Sequence, residues 1–302
     1  MKKIVRALIF IPAIFLLLFS CTSRKQVEPE FNPTFSTLGA DSIASEIPEE
    51  KREIFYGILT PVEMSTIFSR LGALYSPEIL NDAGNADEYL SSSKAALNLG
   101  IYGVDVAYLK MFNLNSEMVQ YMISVRSLSN KLGIPPDYLT RPVEELESNM
   151  GDSDSILIFV NNSYKRIENH LRRSSQESTA GLMVLGGWME AVYISTQLLL
   201  DTESPDPEVV ERIAEQKYTL NTLLSLLKNY YDDPVVVYYT KKLKFLKKYF
   251  DRFDIYFQEG DLEIDRSRQV LWATGSEMTI TRETLMDIKN YVEKMRKETV
   301  GL

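Results

Sequence analysis

Small residues at helical spacing place the tightest constraint on what this chain can fold into. Ala96, Gly100, Gly103 and Ala107 sit at i, i+4, i+7 and i+11, on one face of a helix. Ala180, Gly187 and Ala191 sit at i, i+7 and i+11 on another. Glycine inside a helix costs roughly 1 kcal/mol relative to alanine. A helix that keeps several therefore gains something from the missing side chains, most often close approach of a second backbone. The first expectation is that these two helices cross tightly in the core. The competing expectation is that the missing side chains leave space for a ligand.

The remainder of the sequence reads as helices joined by short breaks. Thr60-Pro61-Val62-Glu63 has the form of a helix start, and Met64, Ile67, Phe68 and Leu71 follow at helical spacing. A long helical segment is expected over Ala86–Phe112, then a turn at Asn113-Leu114-Asn115, then a helix to Leu132 that Gly133 stops. Pro135-Pro136 breaks the chain, and short helices are expected after Arg141-Pro142 and after Asp152 or Ser153. Further helices are expected over Gln176–Leu200, after Ser204-Pro205-Asp206-Pro207, from Asp233-Pro234 to near Phe257, and from a Thr281 cap to about Thr299. Short loops between long helices place neighbours antiparallel. The expected fold is all-α, a bundle of antiparallel helical hairpins, with room for one short β-hairpin within residues 261–280. No 34-residue period recurs, so the hairpins are not a repeat array.

Polar residues accompany the small ones. Asn98, Tyr102 and Asp105 share a face at i, i+4 and i+7, and Glu190, Tyr193 and Gln197 share one at i, i+3 and i+7 on the second helix. Asp105 and Glu190 both lie in apolar surroundings, where a carboxyl needs partners or takes up a proton. One reading is an internal hydrogen-bond network. The other is a polar pocket lined by Asn98, Tyr102, Asp105, Glu190 and Tyr193 with Trp188 as a wall, able to hold a small polar or aromatic ligand. A basic helix follows, in which Lys241, Lys242, Lys244, Lys247, Lys248 and Arg252 alternate with Leu243, Phe245, Leu246, Tyr249, Phe250 and Phe253. It reads as a solvated face over a packed one, with an anionic membrane surface as the other reading.

The first 21 residues carry an address. Lys2, Lys3 and Arg6 precede an apolar run from Ile4 to Phe19, and Leu18-Phe19-Ser20-Cys21 comes directly before the polar Thr22-Ser23-Arg24-Lys25. The run is short and wrongly flanked for a spanning helix. This arrangement resembles a bacterial lipoprotein signal peptide, in which a small residue precedes a cysteine that is acylated and becomes the new N-terminus. The resemblance implies a signal peptide at 1–20, a lipid on Cys21, and a membrane-anchored chain. Thr22 after the cysteine, where Asp is absent, resembles the outer-membrane class. Residues 21–50, with Pro29, Pro33 and Pro48 and no sustained apolar period, read as the lipidated cysteine and a flexible tether spanning ~30 Å. Residues 51–302 are left as the helical globular domain. Its Asn98–Asp105 and Gly186–Glu190 stretches resemble the uncharacterised helical lipoproteins of Gram-negative bacteria, a likeness that implies architecture and no activity.

Several functions are set aside. Cys21 is the sole cysteine and His170 the sole histidine, so disulfides and zinc sites built on imidazole and thiolate are excluded. No phosphate loop or nucleophile elbow is found, and no catalytic residue, metal ligand or cofactor is assigned. Loss of the signal peptide changes the net charge from −9 to −12, a poor balance for nucleic acid. The expected partners are the membrane, through the N-terminal lipid, and a protein of the cell envelope. The leading expectation is a non-enzymatic interaction or structural role, and the alternative is a periplasmic or surface module that binds a ligand between the glycine-bearing helices.

Overall fold

A computed structural model of the chain describes residues 34–36, 51–55, 74–135, 138, 165–199, 207–258, 262–266, 270–274 and 276–301. Cys21, the signal peptide and the helices expected at 60–71 and after Arg141 and Asp152 lie outside them, apart from Ile167 and Leu171. Seven α-helices are described: α1 Ser92–Met111, α2 Asn115–Lys131, α3 over 165–173, α4 Glu177–Leu199, α5 Pro207–Leu227, α6 Pro234–Phe250 and α7 Arg282–Val300. The molecule is all-helical in its main body, as its apolar spacing predicts. Among the described residues no helix is long and apolar enough to cross a membrane.

The centre is α1 against α4. Each is buried along most of its length, and neither has a strongly polar side. A helix that is apolar all round has to be surrounded. Here α2, α5 and α7 complete the shell. The outer helices have one buried stripe each. In α7 it is Leu285, Ile288, Val292 and Met295, and in α6 it is Val236, Leu243, Leu246 and Phe250.

Helix ends follow local chemistry. Asp233 accepts from the amides of Val235 and Val236 to start α6, with Pro234 in the first turn. Thr281 accepts from Thr284 N to start α7. Gly133, at φ 71°, ends α2 in the left-handed region, and Asn113, at φ 58°, turns the chain between α1 and α2.

Two segments differ from their expected form. The long segment expected from Ala86 is a 3-10 turn at Ala83–Glu88, and the α-helix begins only after Ser91. The Ser91 hydroxyl accepts from Lys94 N at 3.2 Å and closes the helix end there. The helix expected to reach Phe257 stops at Phe250, and Ile255–Gln258 forms a strand. Phe250, Phe253 and Phe257 fit helical spacing, but Phe253, Ile255 and Phe257 also fit the period of two, and all of these are buried.

The hairpin expected within 261–280 is present and is part of a larger arrangement. Strands are β1 Thr34–Ser36, β2 Lys51–Phe55, β3 Ile255–Gln258, β4 Glu263–Asp265, β5 Val270–Thr274 and β6 Ser276–Met278. One sheet has the order β1-β3-β6, with Phe35 opposite Phe257 in parallel and Ile255 opposite Met278 in antiparallel register. The other, β2-β5-β4, is antiparallel, with Ile54 opposite Leu271 and Leu271 opposite Ile264. The stretch read as a tether thus supplies β1, and the start of the globular domain supplies β2.

Candidate functional site

The glycine positions on α1 and α4 hold the two backbones together. A Cβ built on Gly100 would collide with the Met183 carbonyl and stand 2.6 Å from Gly187 N. A Cβ on Gly186 would collide with the Leu97 carbonyl. Backbone cannot rotate aside as a side chain can, so this crossing admits only hydrogen at both positions. The tight crossing is therefore present. Gly186 is the position that spacing alone passed over, and Gly103 is half-buried. The signal for Gly186 was the doublet Gly186-Gly187, of which only the second fits the i, i+7, i+11 pattern.

The six candidate binding residues all lie in the interior: Asn98, Tyr102, Asp105, Trp188 and Glu190 are completely buried and Tyr193 is 8% exposed. Three of them meet around a cation from α7. Arg296 Nε donates to Glu190 Oε2 at 3.0 Å and Nη2 donates to Glu190 Oε1 at 2.9 Å. The same Nη2 donates to the Ile79 carbonyl at 3.0 Å, and the guanidinium lies 4.6 Å from the centre of the Tyr193 ring. A forked pair of this kind fixes both orientation and distance. Asp105 completes the group. The Asn81 amide donates to its Oδ2 at 3.4 Å, and its Oδ1 has no hydrogen-bond partner among the described residues.

Two carboxyl groups facing one guanidinium leave an excess negative charge unless one proton stays. Burial, and after it the Glu190 charge, push Asp105 well above its ordinary range. Burial also raises Glu190, against the pull of Arg296. Burial alone would weaken the proton affinity of Arg296, but the Glu190 carboxylate reverses this and holds the guanidinium charged. Both acids are thus pushed toward their protonated forms, Asp105 the more strongly, while Glu190 is the one that Arg296 holds in a forked pair.

Asn98 and Tyr102 belong to an adjoining polar layer. Asn81 Nδ2 donates to Asn98 Oδ1 at 3.2 Å and to the Tyr89 hydroxyl at 3.0 Å, while Tyr102 donates to the Asp82 carbonyl at 2.7 Å. Tyr89 donates to the Val300 carbonyl at 3.1 Å, which ties the layer to the end of α7. Trp188 stands apart from this group. Its Nε1 donates to Thr219 Oγ1 on α5 at 2.8 Å.

These side chains fill the space they line, and a ligand would have to displace them or part the two backbones. A shallow groove of about 520 Å³ lies elsewhere, on the outer face of α7, lined by Asn290, Glu293, Lys294, Lys297 and Glu298. Arg296 is the member of the cluster that sequence reasoning missed. It follows Val292 by four residues and precedes Thr299 by three, both buried, so its place on the inward stripe of α7 was available as a signal. Comparison of the chain with protein-family models, with curated proteins and with solved structures found no match.

Proposed function

We propose that this is a lipid-anchored protein of the cell envelope, attached through Cys21 to the outer membrane. Its helical domain then serves by its surface, in a structural or interaction role with another envelope component, and not by catalysis. The observation that carries the reading is Leu18-Phe19-Ser20-Cys21 at the end of a short apolar run that begins with Lys2, Lys3 and Arg6. Two or more acyl chains hold a protein stably at a bilayer, at ~0.8 kcal/mol for each buried methylene. The buried interior supports a surface role: Asn98 is bonded to Asn81, Tyr102 to the Asp82 carbonyl and Glu190 to Arg296, so these candidate pocket residues are engaged by their own chain.

Labelled fatty acid fed to cells tests the anchor. The parent chain should take up label and lose its first 20 residues, and Cys21→Ser should do neither. Uptake of label by Cys21→Ser would sink the reading. Affinity capture of the intact protein from its own membrane would then identify the component it meets.

A further inference from the structure

The outward face of α6 is basic and aromatic in an otherwise acidic chain. In a chain with 42 acidic and 33 basic residues, Pro234–Phe250 contains five lysines and no acid. Tyr238, Lys241, Phe245, Lys248 and, just past the helix, Arg252 follow one another at spacings of three and four residues. Tyr238 is 50% exposed and Phe245 44% exposed, large areas for aromatic rings on a free surface. Phe245 stacks on Tyr291 of α7 at 5.0 Å between centroids, and Tyr249 joins them at 5.6 and 5.8 Å.

Cations lie over these rings. Lys242 is 4.9 Å from the Tyr238 ring centre, Lys248 is 5.3 Å from that of Phe245, and Arg252 is 4.6 Å from that of Tyr249. Acids at the margin are already matched: Glu298 pairs with Lys242, Asp251 with Lys247 and Asp287 with Arg252, while Asp233 caps the helix. Lys241, Lys244 and Lys248 have no carboxylate partner among the described residues.

We propose that this face of α6, with Tyr291 beside it, docks on an anionic phospholipid surface. Exposed rings with cations beside them match the boundary where acyl chains meet phosphates, since aromatic side chains favour that level and lysines reach from it to the headgroups. A convex helix surface suits a deformable bilayer better than a peptide, which needs a groove. The proposal rests on the lipid-anchored reading for nearness to a bilayer. An anchor makes the second contact intramolecular, so a weak face is enough.

The test uses the full chain with Phe245→Trp, purified from membranes and added to vesicles with brominated acyl chains. The parent has two tryptophans, of which Trp188 is buried and Trp272 half-buried. On vesicles containing phosphatidylglycerol, Phe245→Trp should be quenched beyond the parent. High salt should remove that quenching by screening. Lys241→Gln, Lys244→Gln and Lys248→Gln together should lower the docked-to-free ratio about 100-fold, roughly fivefold for each lysine. Val119→Trp, at an exposed site on α2, should show no such quenching.

Equal quenching on pure phosphatidylcholine, equal quenching at position 119, or quenching that survives the three glutamines would each overturn the proposal. So would binding to polyglutamate without any quenching by vesicles, which would make the partner an acidic protein. Flotation with phosphatidylcholine vesicles reads the anchor separately. A chain that floats there but shows no added quenching on anionic vesicles keeps its anchor and loses the docking face. A chain quenched only on anionic vesicles and never floating with neutral ones keeps the face and loses the anchor.

Discussion

The same two helices, α1 and α4, are joined in two contrasting ways a few residues apart. At Gly100 and Gly186 they touch backbone to backbone, and the contact depends on atoms that are not there. At Asp105 and Glu190 they present two acids, and the contact depends on a proton and on a cation from a third helix. The first junction is steric and indifferent to pH. The second is electrostatic and carries its own titration. A crossing built of small residues fixes distance, while a buried ionic group adds a condition on which other element must be present.

Removing the cation should give the largest effect. Arg296→Met leaves the buried Glu190 carboxylate with no counter-charge, a loss of about 3–5 kcal/mol at neutral pH. At about 2–4 °C per kcal/mol for a domain of this size, the melting temperature should fall by roughly 10 °C. The loss should shrink towards acid pH. The carboxyl affinities in the folded state are raised, so the folded chain keeps protons that the unfolded chain releases as pH rises past the ordinary carboxyl range. Adding Glu190→Gln to Arg296→Met should recover most of the loss, because an absent pair is far less costly than a broken one. A single-variant loss below about 1 kcal/mol would mean the ion pair is not what secures α7.

The steric junction should respond next. Gly100→Ala and Gly186→Ala should each cost ~1–3 kcal/mol from overpacking, offset in part by roughly 1 kcal/mol of helix propensity. Chemical denaturation should show the same loss at every pH at which the parent is folded. The two changes together should cost less than their sum, since a crossing already forced apart has room for the second methyl. Full additivity would show that the two glycines do not share one contact.

Asp105→Asn should have the smallest effect at neutral pH and the clearest signature in a pH series. In the parent, stability should decline as pH rises above the ordinary aspartate value of 3.8, towards the raised value that burial gives Asp105. Asparagine carries no titrating proton, so the decline should flatten. An unchanged slope would place the proton elsewhere.

The contrast also marks what the sequence makes legible. Gly100 and the glycine-bearing face of α4 announce a crossing because their spacing and their cost to a helix are both local facts. The caps at Thr281 and Asp233 and the stop at Gly133 are local as well, and each stands where its residues predict. Asp105 and Glu190 are legible as buried acids, but their partner is not, because Arg296 lies 106 residues beyond Glu190 on a separate helix. The strand at Ile255–Gln258 was hidden for a related reason. Its apolar residues satisfy two periods, and pairing with the distant Thr34–Ser36 and Ser276–Met278 favours the extended one.

That separation of 106 residues is also an interval of time. At roughly 5–20 residues per second of synthesis, Glu190 waits about 5–20 s for Arg296 to leave the ribosome. During that interval α1 and α4 can meet only with an acid pair that has no counter-ion, and the Ile79 carbonyl lacks the donor that comes 217 residues after it. On this reasoning closure should wait for the arrival of α7. A nascent chain that cannot finish early stays threadable, which would serve the exported chain proposed above.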